Sequence, residues 1–295
     1  MSNFQEIMSP IAVENPGMET HIHPYQLFSV KNKEPIAKFL NTSPEFYMKE
    51  VLAKNPEFKN IYSLNYSFRD EPNSPIHRNQ FLMLEWYRKS AYYTQIMDDI
   101  ISLIKFLQTE LKLENPIQNF SVMTINEVFL DILGLDILNF LDKNELIKKI
   151  KMDYKDVPLP HSECEWDDYY FLLFLNKIEP ELTQYPFLLL KEFPEPLSAL
   201  STISQTDKRV CERFEVYMNG VEICNSFNEI TDAGELTKRF NEQVKLKKEF
   251  YHYELPWPSR FMKTMEEGYP KSSGIALGVE RLMQILLKLD SPFID

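Results

Sequence analysis

Acids placed where a chain should be apolar are the first chemical signal in these 295 residues. The stretch Gly220–Asp232 reads GVEICNSFNEITD, with Glu222, Asn225 and Glu229 threaded among residues that favour a half-covered strand. A carboxylate lowered into apolar surroundings without a cation costs several kcal/mol. These side chains must therefore face water or meet something positive. Glu215 and Glu222 flank Asn219-Gly220 and are expected to oppose each other across that turn, where they repel unless a cation sits between them. Mg²⁺ held by one or two carboxylates plus substrate phosphates suits such a pair. An exposed pair in salt solution costs little, so spacing alone also allows two solvated acids.

Two further clusters have the types for nucleotide and ammonium recognition. Arg69, Asp70 and Glu71 close one predicted strand, and Glu85 and Tyr87 alternate along the strand that returns. Such a hairpin can hold a phosphate at its rim and an ammonium along one face; a surface ribbon of solvated charges has the same spacing. GIALGVERL places Gly274 and Gly278, where a ligand or a neighbouring backbone can come close, ahead of Arg281, a residue suited to phosphate. A lone Arg on a helix surface reads equally well there. His21 and His23 lack a third ligand at metal spacing.

The elements that must carry these residues are legible from patterning. IYSLNYSF (61–68) and FLMLEWYR (81–88) read as strands of an antiparallel hairpin with the polar tip RDEPNSPIHRNQ. NTSPEFYMKEVLAK opens a helix capped by Thr42 or Ser43, with Pro44 in its first turn. Tyr93–Leu111 carries Ile96, Ile100, Leu103, Ile104 and Leu107 on one helical face. Thr124 with Glu127, and Asp142 with Glu145, have the capping-box relation. DDYYFLLFLNKI is predicted helical, PFLLLKEFP a strand, and Arg213–Met218 with Val221–Ile223 a hairpin about Asn219-Gly220. Leu282, Ile285, Leu286 and Leu289 form a closing helical stripe. Strands cluster with helices without strict alternation, which predicts an α+β fold on an antiparallel sheet, as one domain.

Bulk properties narrow the partners. The net charge of −12 opposes a polyanion, whose binding draws on Lys and Arg. A small cationic ligand or a basic protein surface is compatible with it. Three widely spaced cysteines, Cys164, Cys211 and Cys224, fit neither a disulfide framework nor a zinc knuckle. No signal-peptide pattern and no apolar run of about 18 residues is present, so a soluble cytoplasmic chain is expected.

Taken together, FRDE followed by HRNQFLMLEWY, the stretch RFEVYMNGVEICNSFNEITDA, and GIALGVERL resemble the signature motifs of class II aminoacyl-tRNA synthetases. Within them the likeness is to the lysyl branch, and there to the stand-alone paralogues that attach a lysine to elongation factor P. It runs from FQEIMSP almost to the end. The resemblance implies a class II catalytic domain, ATP and Mg²⁺. It gives Arg69 to the α-phosphate and Arg281 to the γ-phosphate as the catalytic charges. Asp70, Glu71, His77, Arg78, Phe81, Glu222, Ile223 and Gly278 complete the nucleotide contacts, with Phe81 stacking on adenine. Glu215 and Glu222 become metal ligands. Ser43, Pro44, Glu45, Glu85, Tyr87, Asn225, Phe227, Glu229 and Ala276 line the amino-acid pocket.

The same resemblance implies activation of a lysine as its adenylate and transfer to a lysine side chain of elongation factor P. Ser43 and Ala276 stand where true lysyl synthetases usually have Ala and Gly, which points to (R)-β-lysine as donor. The chain departs from the family at Arg78, Asn79 and Gln80, where Asn-Pro-Glu is usual, and at Pro75-Ile76, where an Arg is usual. It also has Glu280 for Asp and Ser226 for Gly. Most of the long helix of motif 1, a dimer element, and the anticodon-binding OB domain are expected to lie outside this chain, leaving a homodimer open. A weak ATP- or lysine-binding paralogue and a tRNA-charging enzyme are the competing expectations, tRNA being opposed by the charge.

Overall fold

The computed structural model describes residues 4–160, 164–291 and 293. The chain forms two compact units, one of Met1–Tyr92 with Glu229–Asp295 and one of Tyr93–Asn228.

The first unit opens with β1 (Phe4–Glu6), β2 (Ala12–Val13), β3 (Gln26–Ser29) and β4 (Glu34–Leu40), followed by α1 (Glu45–Lys54). The predicted hairpin then appears as β5 (Asn60–Phe68) and β6 (Gln80–Lys89), antiparallel, with Ser63 opposite Glu85 and Ser67 opposite Phe81. β1 adds to β5 in parallel, while β2, β4 and β3 make a small antiparallel sheet of their own. Met48 and Leu52, one turn apart on α1, are fully buried with Ile61 and Tyr87. That apolar stripe, rather than a cap, anchors the helix. Of the two expected capping residues, Thr42 is spent elsewhere, its hydroxyl donating to the Pro16 carbonyl, while Ser43 Oγ accepts from the Glu45 N–H at 3.4 Å, with Pro44 in the N-cap position.

In the second unit come α2 (Tyr93–Glu110), β7 (Ser121–Thr124), α3 (Ile125–Leu133), α4 (Lys143–Asp153), α5 (Trp166–Leu173), β8 (Leu188–Pro194), β9 (Val210–Met218) and β10 (Val221–Asn228). β7 lies parallel to β8; β8, β9 and β10 are antiparallel. Both halves of the Thr124–Glu127 capping box form, and Asp142 accepts from the Asn144 and Glu145 N–H groups. The core stacks Trp166, Phe129 and Phe174 about Tyr170.

The chain returns to the first unit with α6 (Ala233–Tyr251), α7 (Ser259–Glu266), β11 (Ser272–Gly278) and α8 (Val279–Leu287). Phe46 of α1 stacks on Phe261 of α7 at 4.3 Å. β11 pairs antiparallel with β6. The α+β class is as expected, but each unit carries a parallel pair, β1–β5 in the first and β7–β8 in the second, so the strands are mixed rather than antiparallel throughout. The closing helix ends at Leu287, and Leu289, expected on its apolar stripe, is exposed beyond Lys288, whose φ of 53° stops the helix. No helix among the described residues is long and apolar enough to cross a membrane.

Candidate active site

Strand alternation puts Phe81, Met83, Glu85 and Tyr87 on one face of β6. Register places Gly278, Ala276 and Gly274 of β11 opposite Met83, Glu85 and Tyr87. Three small residues therefore line one side of the row and three large ones the other. Gly274 must be glycine: a Cβ there would lie 2.2 Å from Tyr87 Cε1 and 2.9 Å from Glu229 Oε1. The room expected beside Gly274 is thus filled by the Tyr87 ring.

Glu85 is 1% exposed. Its Oε2 accepts from the Tyr87 hydroxyl at 3.1 Å, while its Oε1 is buried with no hydrogen-bond partner. Burial, with the nearby Glu45 charge, pushes this carboxyl well above the usual carboxylate range. An acid kept in such a place is an open request for a donor, and an ammonium with three N–H groups meets it.

Glu45 and Glu229 complete the acidic end, and between them stands a residue that motif reasoning passed over. Lys49 Nζ lies 2.5 Å from Glu45 Oε1 and 2.5 Å from Glu229 Oε2, with its side chain 3% exposed. Burial alone would lower the Lys49 ammonium; the charges of Glu229 and Glu45 reverse this and keep it protonated. Glu229 is pushed up to about 7 by burial, which the Lys49 ammonium only partly offsets and the Glu45 charge reinforces. Ser43, Pro44 and Glu45 also line a small cavity of about 30 Å³ with Asn15, Gly17 and Glu19. Burial and the Glu45 charge raise Glu19 too, a further acid without a motif to announce it.

At the other end of the row the side chains are basic and aromatic. Arg69, just past β5, holds its guanidinium 5.3 Å from the Phe81 ring centroid, and its Nε is buried without a partner. Phe81 and Glu85 are four residues apart, roughly 13 Å along the strand. Asn79 secures the tip, its Nδ2 donating to the Arg69 and Glu71 carbonyls. Arg281 on α8 donates from Nη2 to His77 Nε2 at 2.6 Å. A guanidinium can only donate, so His77 Nε2 accepts and the ring proton sits on Nδ1, toward Ser74 Oγ at 2.9 Å. Burial and then the Arg281 charge lower His77, which favours this neutral ring. Glu280, in the first turn of α8, accepts from the Leu82 N–H at 2.7 Å and so fixes the helix start against β6.

Other expected nucleotide contacts lie differently. Arg78 donates to the Ser74 and His77 carbonyls and stands 4.5 Å over the Phe293 ring, so it braces the tip. Asp70 is exposed and lines a separate cleft of about 700 Å³ with His23, Gln26, Phe39 and Tyr253. His21 and His23 bond the Tyr251 and Tyr253 hydroxyls at 2.8 and 2.7 Å.

The second unit holds its own acidic group. Asn219 and Gly220 have φ of 50° and 80°, as a tight hairpin requires. The expected direct opposition of Glu215 and Glu222 does not occur: Glu215 pairs with Asn225 and Glu222 with Tyr217. The two-residue turn itself excludes it, pairing Met218 with Val221 and Tyr217 with Glu222; a bulge between Glu222 and Cys224 then moves the partner of Glu215 from Cys224 to Asn225. The two acids still share a face, with one cross-strand pair, Val216–Cys224, between theirs. Arg213 Nη2 lies 2.5 Å from Glu215 Oε1, its Nε donates to Asn225 Oδ1 at 3.1 Å, and its guanidinium stands 5.7 Å over Phe227. Tyr217 donates to Glu215 Oε2 at 2.8 Å. Asn225 and Phe227, expected in the substrate pocket, thus surround Arg213. Ile223, expected among the nucleotide contacts, is 2% exposed, so its side chain is part of the core. The donor set of Glu215 and Glu222, carboxylate oxygen alone on one strand face, fits Mg²⁺; among the described residues no group of three or more His, Cys, Asp or Glu side chains forms a metal cage.

The family model for class II tRNA synthetases (D, K and N) matches residues 1–291. Relatives named elongation factor P–(R)-β-lysine ligase are similar along nearly the whole length. That of Buchnera aphidicola is 31% identical over 98% of this chain and 86% of its own. For Proteus mirabilis the identity is 32%, over 97% and 85%, and for Vibrio cholerae 31%, over 98% and 86%.

Proposed function

The chain belongs to the class II tRNA synthetase family of the D, K and N type, and from that premise we propose that it activates a lysine with ATP and transfers it to a lysine side chain of elongation factor P. The names of its relatives support both donor and acceptor, and favour (R)-β-lysine. Ser43 and Ala276, the latter opposite Glu85 on β11, support the same choice. One family model spans both units, so they are read as one catalytic domain. The site of reaction is taken to be the cytoplasm, where translation factors are modified.

The observation that carries the reading is the unpartnered Glu85 oxygen, buried beside Tyr87 in a row that ends in an unpartnered Arg69 nitrogen. Glu85 and Tyr87 would take the ammonium far from the reacting carboxyl, and Glu45 the nearer one. A carboxylate oxygen of the amino acid attacks the α-phosphorus, the bond to pyrophosphate breaks, and negative charge grows on the phosphoryl oxygens. Arg69 and Arg281 are the groups to meet that charge, in a site that needs no nucleophilic side chain. The acceptor amine then attacks the acyl carbon, AMP leaves, and the amine loses a proton. Glu215 and Glu222 would hold Mg²⁺, which when bound neutralises phosphate charge.

Pyrophosphate exchange measured separately with (R)-β-lysine and α-lysine tests the donor, and intact mass of elongation factor P tests the acceptor. Exchange dependent on (R)-β-lysine and a mass gain on the factor are expected. ATP binding without exchange would leave a binding paralogue, and label on tRNA alone would move the acceptor.

A further inference from the structure

The acidic end of the row contains its own cation. Glu45, Glu85 and Glu229 bring three carboxyl groups together, and Lys49 bridges two of them at 2.5 Å each. The groups facing Lys49 are Glu45 on its own helix, Glu85 and Tyr87 from β6, Glu229 ahead of α6, and Tyr269 ahead of β11. Tyr269 is tied in turn by Ser272, whose hydroxyl donates to it at 2.8 Å. Replacing a buried ion pair by apolar side chains is often neutral or stabilising, so stability is a weak reason to keep an ammonium here. Charge matching is a better one. With every group ionised, three carboxylates and one ammonium leave two negative charges, the number that a diamino acid neutralises once its own carboxylate has been joined to phosphate.

We propose that Lys49 is the resident counter-ion of the amino-acid pocket, a positioning and specificity-determining residue that spaces Glu45 and Glu229 in the empty protein and trims the pocket to the charge of a guest with two ammonium groups. This rests on the functional reading above. Without Lys49, Glu45 and Glu229 face each other as two close acids and share a proton. A guest ammonium must then displace that proton. Glu85 releases its own proton on binding with or without Lys49, so the difference between the two proteins isolates the Glu45–Glu229 pair.

Calorimetric titration with α-lysine and with (R)-β-lysine, at pH 7 in buffers of differing ionisation enthalpy, counts these protons without requiring turnover. Lys49→Met is expected to bind about tenfold or more weakly and to release more protons per guest, by about half a proton, because Glu229 with Lys49 in place is already partly protonated at pH 7. Lys49→Arg is expected to restore the wild-type count. The double variant Glu229→Gln/Lys49→Met removes the buried acid and the base together, so the extra proton should disappear while binding remains weak. Should Lys49→Met fail to fold, the double variant carries the test, and an extra proton there overturns the proposal. An unchanged affinity and proton count in folded Lys49→Met overturns it while leaving the functional reading in place. A wild-type protein that binds neither lysine overturns that reading, and this inference with it.

Discussion

Glu85 concentrates the chemistry of the pocket in one carboxyl group. Replacing it by Gln keeps shape but removes the charge offered to an ammonium, and a hydrogen bond to a charged group is worth about 1.5–3 kcal/mol. Glu85→Gln is expected to raise the KM for lysine by roughly ten- to a hundredfold and leave ATP binding unchanged, as read by pyrophosphate exchange and nucleotide titration. The same carboxyl gives the empty protein a pH dependence. Its pKa is raised on folding, so the native state holds a proton that the unfolded chain releases first. The stability that proton represents is full below the unfolded value and lost as pH climbs through the folded one. Thermal unfolding between pH 5 and 8 should show melting falling as pH rises, less steeply in Glu85→Gln, and recovering when lysine is added. Glu85 and Tyr87 were legible because alternation along a strand fixes which side chains share a face. Lys49 was not, since a Glu–Lys pair four residues apart on a helix ordinarily sits in water.

Elements decide whether those side chains meet. β11 can lie against Tyr87 only without a side chain at Gly274, where a methyl carbon would stand 2.2 Å from the ring. Gly274→Ala should displace Tyr87 and Glu229 together. Amino-acid activation is expected to fall more than about a hundredfold while ATP still binds, since a misplacement of about 1 Å costs on this order. The capping box of α3 is separable from the site. Thr124→Ala should cost about 1–2 kcal/mol in denaturant unfolding, with lysine affinity unchanged. Hairpin ends and caps could be read from Asn219-Gly220 and Thr124 because local chemistry specifies them. The bulge after Glu222 could not, because which strand takes an extra residue is settled by packing on both faces; one inserted residue moves the partner of Glu215 from Cys224 to Asn225, while the tight turn itself pairs Glu222 with Tyr217.

At the scale of the molecule, charge sorts the acceptors. A net charge of −12 gives a polyanion little to bind, whereas a protein acceptor needs only to present one lysine. Incubation with lysine, ATP and a mixture of tRNA and elongation factor P is expected to label the factor alone, and gel mobility at low salt should detect no tRNA complex. The fold class followed from the order of predicted strands and helices. The two units did not, because the first is assembled from segments on both sides of the second. That arrangement has a temporal consequence. β6 leaves the ribosome long before its partner β11: Lys89 and Ser272 are paired in the finished sheet, yet at about 5–20 residues per second the intervening chain takes roughly 10–40 s to synthesise. For that interval the nascent hairpin carries Glu85 beside an unpaired edge, where a hydrated charge opposes pairing with a foreign strand until β11 closes it.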